Sequence, residues 1–489
     1  MPKIIILRIR GKIRKNGDQV LEKIKGYSSL RVPAKASIWY IGSAGAARAI
    51  GALSTPIFTR LLTPEEYGLY PLYTSWLSVL SVLVTLEVTG SVIYRGFQRY
   101  EDKKEEFTSA TLGLLGSIFV IFCALYFAFH RYIEKITTLT PGISIFMLVE
   151  IFASSVISLY LAKARFEYKY KAVSALNIAS AVLIPFSALL VILLTTIKAE
   201  ARIYSSSAVT AAIALPILIL IIMRSDKLYS KEIWKYLLKR SIPLLPHYFA
   251  MTLILRSAEI SIGRFHGTGA LGQYSIAVSV GMILTIVTGG LISALSPWIM
   301  RKIREGGIDK IREFLLLITR ALSLIALLIL AAAPEILAFL AADGFRSGLP
   351  AIYPLEIAAI LSFLSGAVMS ACTYYERGGI SSLASIIAAS VSVILAFLVL
   401  PRVDFRLAGI FALLSYAVMV LMSSLVFKRL SGEYPINIRK SAVILVFTLT
   451  YAAILFAFRG FIISRFFLSL PILALLLTTM KDIYFKVKE

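Results

Sequence analysis

The apolar runs of this chain are too long for a soluble core and too frequent for a single anchor. Bounded by charges, they read over residues 36–62, 67–94, 108–129, 141–163, 172–197, 203–223, 241–263, 270–299, 313–341, 351–375, 380–400, 407–427, 441–458 and 462–480. About 20 apolar residues in a helix cross the hydrocarbon of a bilayer. The expectation is therefore an all-α polytopic membrane protein of about fourteen transmembrane helices. Composition agrees: 58% of the residues are hydrophobic, against about 45–50% in soluble domains. The alternating ten-residue strands of an outer-membrane barrel are absent. Pro56, Pro185, Pro216, Pro243, Pro246 and Pro297 fall inside these runs and are expected to kink helices, which membrane helices tolerate.

The net charge of +24 invites a nucleic-acid reading, but its distribution argues otherwise. Of the 51 Lys and Arg, 37 fall in the first 35 residues, in the connections after even-numbered spans, or in the C-terminal tail. The positive-inside rule assigns that side to the cytoplasm. The chain is then a multi-pass protein of the cell membrane with both termini cytoplasmic, its basicity set by topology and by attraction to anionic lipid heads. The start, "MPKIIILRIRGKIRK", has too short an apolar run for a cleavable signal. Residues 1–35 are expected to lie as a basic segment on the cytoplasmic surface. Cys123 and Cys372 sit in apolar runs without metal spacing, so neither a disulfide framework nor a cofactor is expected.

The chain also resembles itself. "FTRLLTPEEYGLYPLYTSWLSVL" begins at Phe58 and "IGRFHGTGALGQYSIAVSVGMIL" at Ile262. Arg60, Gly68 and Tyr70 match Arg264, Gly272 and Tyr274 at an offset of 204, which drifts to about 206 beyond the next span. Two parallel six-helix halves with a substrate site between them near mid-membrane are a transporter pattern. The divisions expected are 36–223 and 241–430 for the two lobes, 224–240 for an amphipathic cytoplasmic linker, and 431–489 for two appended helices with a tail.

The hairpin "TPIFTRLLTPEEYGLYPLYTSWLSVLSVL", with "LEVTGSVIYRGFQRYEDKKEEF" at its end and "KARFEYKYKA" after the fourth span, resembles the polysaccharide-biosynthesis membrane proteins. These are the O-antigen-type (Wzx-like) lipid-linked oligosaccharide flippases of the multidrug/oligosaccharidyl-lipid/polysaccharide exporter superfamily. The resemblance covers roughly residues 36–430. It implies two lobes in a V that open alternately to either side. It also implies a cationic cavity for an undecaprenyl- or dolichyl-linked (pyro)phosphate glycan, and in some members coupling to H+ or Na+. Implied partners are the lipid-linked oligosaccharide, membrane lipids and glycan-assembly enzymes. Neither nucleic acid nor an obligate oligomer is expected.

Charged residues inside spans are the candidate site, because an arginine at the centre of a spanning helix costs roughly 2.5–3.5 kcal/mol. Arg48 lies near the middle of "AGAARAIGALSTPIFTR", among small residues. Arg256, in "MTLILRSAEISIGRF", stands one helical turn beyond the equivalent place in the second half. Two such guanidiniums suit phosphate, whose oxygens match their fork of donors. Glu259, three residues after Arg256, can neutralise it on the same helix face or take part in proton coupling. Glu87, late in the second span, and Glu150, mid-way in the fourth, can pair with Arg48 or bind a cation. Arg60 and Arg264 at the outer helix ends read as anchors, Arg320 as a snorkelling side chain, and Glu356 as a solvated carboxylate at the outer surface. Gly68 and Gly272 read as turn or packing residues.

Two rival functions stand beside the flippase. A cation-coupled multidrug exporter of the same superfamily would want an acidic cavity. A membrane-embedded glycosyltransferase or polymerase would want catalytic carboxylates on large outer loops, and the only outer acidic pair is Glu65–Glu66 in "TPEEYG". The topology is checked directly by reporter fusions. Fusions ending at Gly68 and at Gly272 should both read outside, and a cytoplasmic signal at either overturns it.

Overall fold

The computed structural model describes residues 32–224, 227–375 and 378–488; residues 1–31 of the expected basic segment lie outside them. The described chain is helical throughout. In order, α1 is Val32–Leu61, α2 Pro64–Thr85, α3 Ser91–Arg99, α4 Lys104–Thr137, α5 Pro141–Phe166, α6 Tyr170–Leu194 and α7 Ala201–Met223. Then come α8 Lys231–Ser241, α9 Leu245–Phe265, α10 Gly267–Arg304, α11 Ile308–Ala331, α12 Ala333–Leu340 and α13 Leu349–Thr373. The last four are α14 Gly378–Ile394, α15 Ala408–Ser431, α16 Ile438–Ala457 and α17 Ile462–Lys488.

Each expected span has its helix, but among the described residues only 12 helices are long and apolar enough to cross a membrane. The two spans that fall short are α1 and α9, the first helix of each half. Length is not the reason, since α1 has 30 residues and α9 has 21. Arg48 and the run of Gly, Ala and Ser dilute the first, while Arg256 and Glu259 dilute the second. Three further expectations need correcting. The second helix stops at Thr85, because Leu86 and Glu87 both take left-handed φ values of 47° and 51°, which an α-helix cannot contain. Glu87 thus lies in the break before α3, not in a span. Pro243 and Pro246 do not kink α9; they lie in the 3₁₀ turn Ile242–Leu244 and the first turn of α9.

Packing repeats between the halves. α1 lies on α6 as α9 lies on α14, α5 on α7 as α13 on α15, and α6 on α7 as α14 on α15. α16 and α17 are both packed on α11, in the second half. Arg465 of α17 grips Glu335 of α12 with two hydrogen bonds, of 2.7 and 2.5 Å, and also donates to the Ala331 carbonyl.

The halves meet through α2. It crosses α10 and also packs on α9. The crossing is made by the two repeat-related glycines. A Cβ on Gly68 would run into the Thr268 carbonyl and stand 2.8 Å from the Gly272 nitrogen, and one on Gly272 would run into the Pro64 carbonyl. Around this point Tyr67 meets Phe345 edge-on at 5.4 Å, and the Thr59 hydroxyl donates to the Leu340 carbonyl at 3.0 Å. Arg60 reaches the Phe339 carbonyl at 3.5 Å, and Arg264 reaches Ile136 O at 2.8 Å. Arg60 and Arg264 therefore each tie their helix end to the other half. Glu66 is a helix-start residue, closing a capping box with Thr63. Toward the opposite, basic end, no such bond joins the two bundles among the described residues; α8, in the connection, packs on α3 and α4.

Glycine at position 68 is required because the neighbour is backbone, which cannot step aside. Gly68→Ala should cost at least the ~1–3 kcal/mol of ordinary overpacking, or force the halves apart at this end. Thermal unfolding in detergent checks it, with Gly45→Ala, where nothing lies within 4 Å, as the tolerant control.

Candidate functional site

Helix α1 is built with one packed stripe and one bare face. Ala36, Ser43 and Phe58 are buried and Ala47, Ile50 and Ser54 half-buried, at the three-to-four-residue spacing of a single helix face. Arg48 lies off that stripe and is exposed. Nothing stands within 4 Å of where a Cβ of Gly42, Gly45 or Gly51 would be, and the same holds for Gly289 and Gly290 on α10. Arg48 has no hydrogen bond or ion pair among the described residues. Neither Glu87 nor Glu150 pairs with it.

Arg256 is in a different situation. Its Nη1 donates to Glu259 Oε2 at 2.9 Å. Glu259 is only 5% exposed and accepts a second bond, 2.5 Å long, from the Ser75 hydroxyl on α2. The carboxylate therefore neutralises the arginine on its own helix and also joins α9 to the other half. Arg256 keeps 34% of its side chain exposed, and Nη1 is its one nitrogen with a hydrogen-bond partner among the described residues.

The contact of α9 on α2 has almost no counterpart in α1 on α10. On one flank the halves are joined by Ser75–Glu259 and by Leu72 against Gly263. The other flank is open.

Glu150 is 6% exposed and fully engaged. It accepts from the Tyr73 hydroxyl at 2.6 Å, from Ser206 at 2.7 Å and from Ser207 at 2.8 Å. Beside it, the Arg202 guanidinium lies over three rings, with Phe58 at 4.7, Tyr67 at 4.8 and Tyr70 at 4.2 Å. Arg202 precedes the apolar run 203–223 and so falls outside the charged residues expected within spans. The rings that hold it come from α1 and α2, which no local pattern reveals.

Glu356 is a correction. Expected to be solvated, it is 0% exposed, and neither oxygen has a hydrogen-bond partner among the described residues. The apolar span starts at Asp343, earlier than the run 351–375 suggested, and α13 is packed on both α10 and α15, so Glu356 lies inside the bundle and not at its outer surface. A signal was available. Glu356 follows Glu150 by 206 residues, the drifted offset of the repeat. Arg320 is exposed near the basic end and lines a 940 Å³ groove with Arg439, Lys440 and Lys486, in keeping with a snorkelling side chain.

Comparison with known proteins follows the same lines. A family model described as "Polysaccharide biosynthesis protein" matches residues 34–302. A search of curated proteins finds no match. Among solved structures, the fold is similar to "Lipid II flippase MurJ, inward closed conformation", at 13% identity and a TM-score of 0.66, covering 92% of this chain and 100% of that one. It is also similar to an inward-facing multidrug resistance MATE family transporter of the MOP superfamily, at 13% identity and TM-score 0.59, covering 79% and 96%. An outward-facing form of a MATE transporter matches at 14% identity and TM-score 0.56, covering 82% and 96%. At these identities the likeness is one of fold alone: this chain shares the all-α, polytopic architecture of those structures.

The two repeat-related carboxyls should respond oppositely to one substitution. Glu150→Leu strips an acceptor from three buried hydroxyls, at about 1–3 kcal/mol for each left unsatisfied, and should lower the thermal midpoint. Glu356→Leu removes a buried polar group that has no partner to lose, and should leave the midpoint unchanged or raise it. A comparable fall for both variants, measured in the same detergent, would contradict the environments described for them.

Proposed function

The chain belongs to the polysaccharide biosynthesis protein family, and from that premise we propose that it is a flippase. It carries an undecaprenyl- or dolichyl-linked (pyro)phosphate oligosaccharide from the inner to the outer leaflet by alternating access. The observation that carries this reading is Arg48: an unpaired guanidinium on the bare face of a helix too polar to be a lipid-facing span. A fixed cation is retained at membrane depth where it meets water or an anion. The fork of donors on arginine matches phosphate oxygens in a way that lysine does not.

The lobes in this reading are 36–223 and 241–430, joined by the linker 224–240. Residues 431–489 form an appendage, and residues 1–35 a basic membrane-surface segment. The basic end is cytoplasmic by the positive-inside rule, so the gap between the lobes opens to the cytoplasm while the glycine crossing closes the outer side. The open flank between α1 and α10 lets a glycan head enter while its lipid tail stays in the bilayer. Arg48 and the free part of Arg256 take the (pyro)phosphate. Glu259 holds the closed flank through Ser75, and protonation or Na+ binding at Glu259, Glu150 or Glu87 would couple an ion gradient to its release. Membrane lipids and glycan-assembly enzymes are the partners, and the carrier works as a monomer. A multidrug exporter would instead need an acidic cleft for cationic drugs, and the ionisable side chain standing free on α1 is a cation.

The test is transport in reconstituted vesicles loaded with a lipid-linked oligosaccharide. Arg48→Gln should reduce the initial rate by at least about tenfold, the loss of one charge-assisted hydrogen bond, while insertion and folding persist. Arg256→Gln should act in the same direction. Lysine at either place should rescue in part, since it keeps the charge and loses the bidentate fork. If both Gln variants transport at the wild-type rate, the arginines are scaffolding and the reading of the site fails.

A further inference from the structure

Arg202 is the cation of the first half that the transport scheme leaves unused. Three rings surround it, and they attract its charge through their faces. Rings do little for its N–H groups, of which a guanidinium has five in a fixed plane. Its Nη1 is buried and has no acceptor. It also has no ion pair or hydrogen bond among the described residues, because the nearby Glu150 is taken up by Tyr73, Ser206 and Ser207. Among the described residues, the other guanidinium nitrogens of Arg202 are neither hydrogen-bonded nor buried, so they form the edge that a ligand beside Arg202 can engage.

There is room for one. A cavity of 330 Å³ lies against Arg202, lined also by Ala47, Gly51, Ser54, Tyr70 and Ser180. That is at the lower end of the ~300 to ~1,000 Å³ range of small-molecule pockets. Its wall on α1 is small residues, and a Cβ at Gly51 would meet nothing within 4 Å. The Ser54 hydroxyl donates to the Gly51 carbonyl at 2.8 Å, which leaves its oxygen free to accept. Ala47 and Gly51 flank Arg48 in sequence, so the cavity and the exposed guanidinium lie on neighbouring faces of the same helical turn.

We propose that this cavity is a subsite for an anionic group, carboxylate or phosphate, carried on the glycan head, and that the free edge of Arg202 binds it. The hydroxyls of Ser54 and Ser180 are left for the sugar. That the anion belongs to the transported glycan rests on the function proposed above; the anion site itself stands on the geometry of Arg202.

The experiment is calorimetric titration of the purified full-length protein with glucuronic acid, inorganic pyrophosphate and glucose. It is repeated in the Arg48→Gln background, so that Arg48 cannot supply the binding. At least one anion should bind, and glucose at least tenfold more weakly; whether the uronate or the pyrophosphate binds tells sugar acid from phosphate. Arg202→Gln should weaken anion binding at least tenfold. Arg202→Lys, which keeps a cation over the rings, should weaken it less. Ser180→Leu should weaken it by narrowing the cavity and removing a hydroxyl with the guanidinium untouched, which keeps the test valid should Arg202→Gln fold poorly. The subsite is refuted if neither anion binds, if glucose binds as well, or if Arg202→Gln and Ser180→Leu both bind as the parent does. Anion binding that depends on Arg202, in a protein that moves no lipid-linked glycan in vesicles, would sink the transport reading and leave the subsite standing.

Discussion

The contact that everything else hangs from is the crossing of α2 and α10 at Gly68 and Gly272. Between helices in a bilayer there is little hydrophobic drive, because lipid tails are as apolar as leucine; association depends on close packing and on hydrogen bonds. Here the backbones approach until neither glycine has space for a methyl group. That closeness brings Ser75 within reach of Glu259, Thr59 within reach of the Leu340 carbonyl, and Arg264 within reach of Ile136. These bonds are strung along one end and one flank of the molecule. The bare face of α1 and the unfilled space beside Gly289 and Gly290 are the complement of that arrangement.

The repeat explains the frame but not the chemistry laid on it. Glu150 and Glu356 stand at the same offset in the two halves, and both are buried. In the first half Tyr73, Ser206 and Ser207 supply hydroxyls. At the corresponding offsets the second half has Ala277, Ala412 and Leu413, and Glu356 is left without a donor. One inherited position thus carries two environments, and burying a polar group unpartnered costs several kcal/mol on hydrocarbon scales. The arginines diverge in the same manner. Arg256 acquired a carboxylate one turn away, and Arg48 did not.

What could be read from the chain follows from how far apart the interacting residues are. Apolar length located a helix for each expected span, 12 of them apolar enough to cross a membrane among the described residues, because a spanning helix is a local property of about 20 residues. The offset of 204 pointed to the crossing of α2 and α10, because the two hairpins retain Arg, Gly and Tyr at matching places. The Arg256–Glu259 pair was legible because i and i+3 share a helix face. Ser75 and Glu259 are 184 residues apart, and nothing local joins them. Arg202 drew no attention because its cage is assembled from Phe58, Tyr67 and Tyr70 on other helices. Glu356 was placed at the surface because the charged and small residues of 343–350 hide the true start of its span. The shortfall of α1 and α9 as spans is itself informative. Helices that wholly face lipid cannot be this polar, so the two that are polar have to keep one face away from it.

That last point bears on why the first half holds the unpaired cations. A cleft with two equally neutralised arginines would attract an anion weakly, because each carboxylate cancels the field of its neighbour within a few ångströms. A cleft with both arginines bare would carry two uncompensated charges through every stage of a cycle, including those with no anion present, at the cost that membrane insertion scales give for each. The structure lies between these extremes. Glu259 neutralises Arg256 through one nitrogen and in the same contact ties α9 to α2. Arg48 on the open flank and Arg202 in its ring cage both lie in the first half and keep their donors free. On the function proposed above, the anion is therefore met chiefly from the first half, and Arg256 divides its charge between the substrate and the carboxylate that ties the halves.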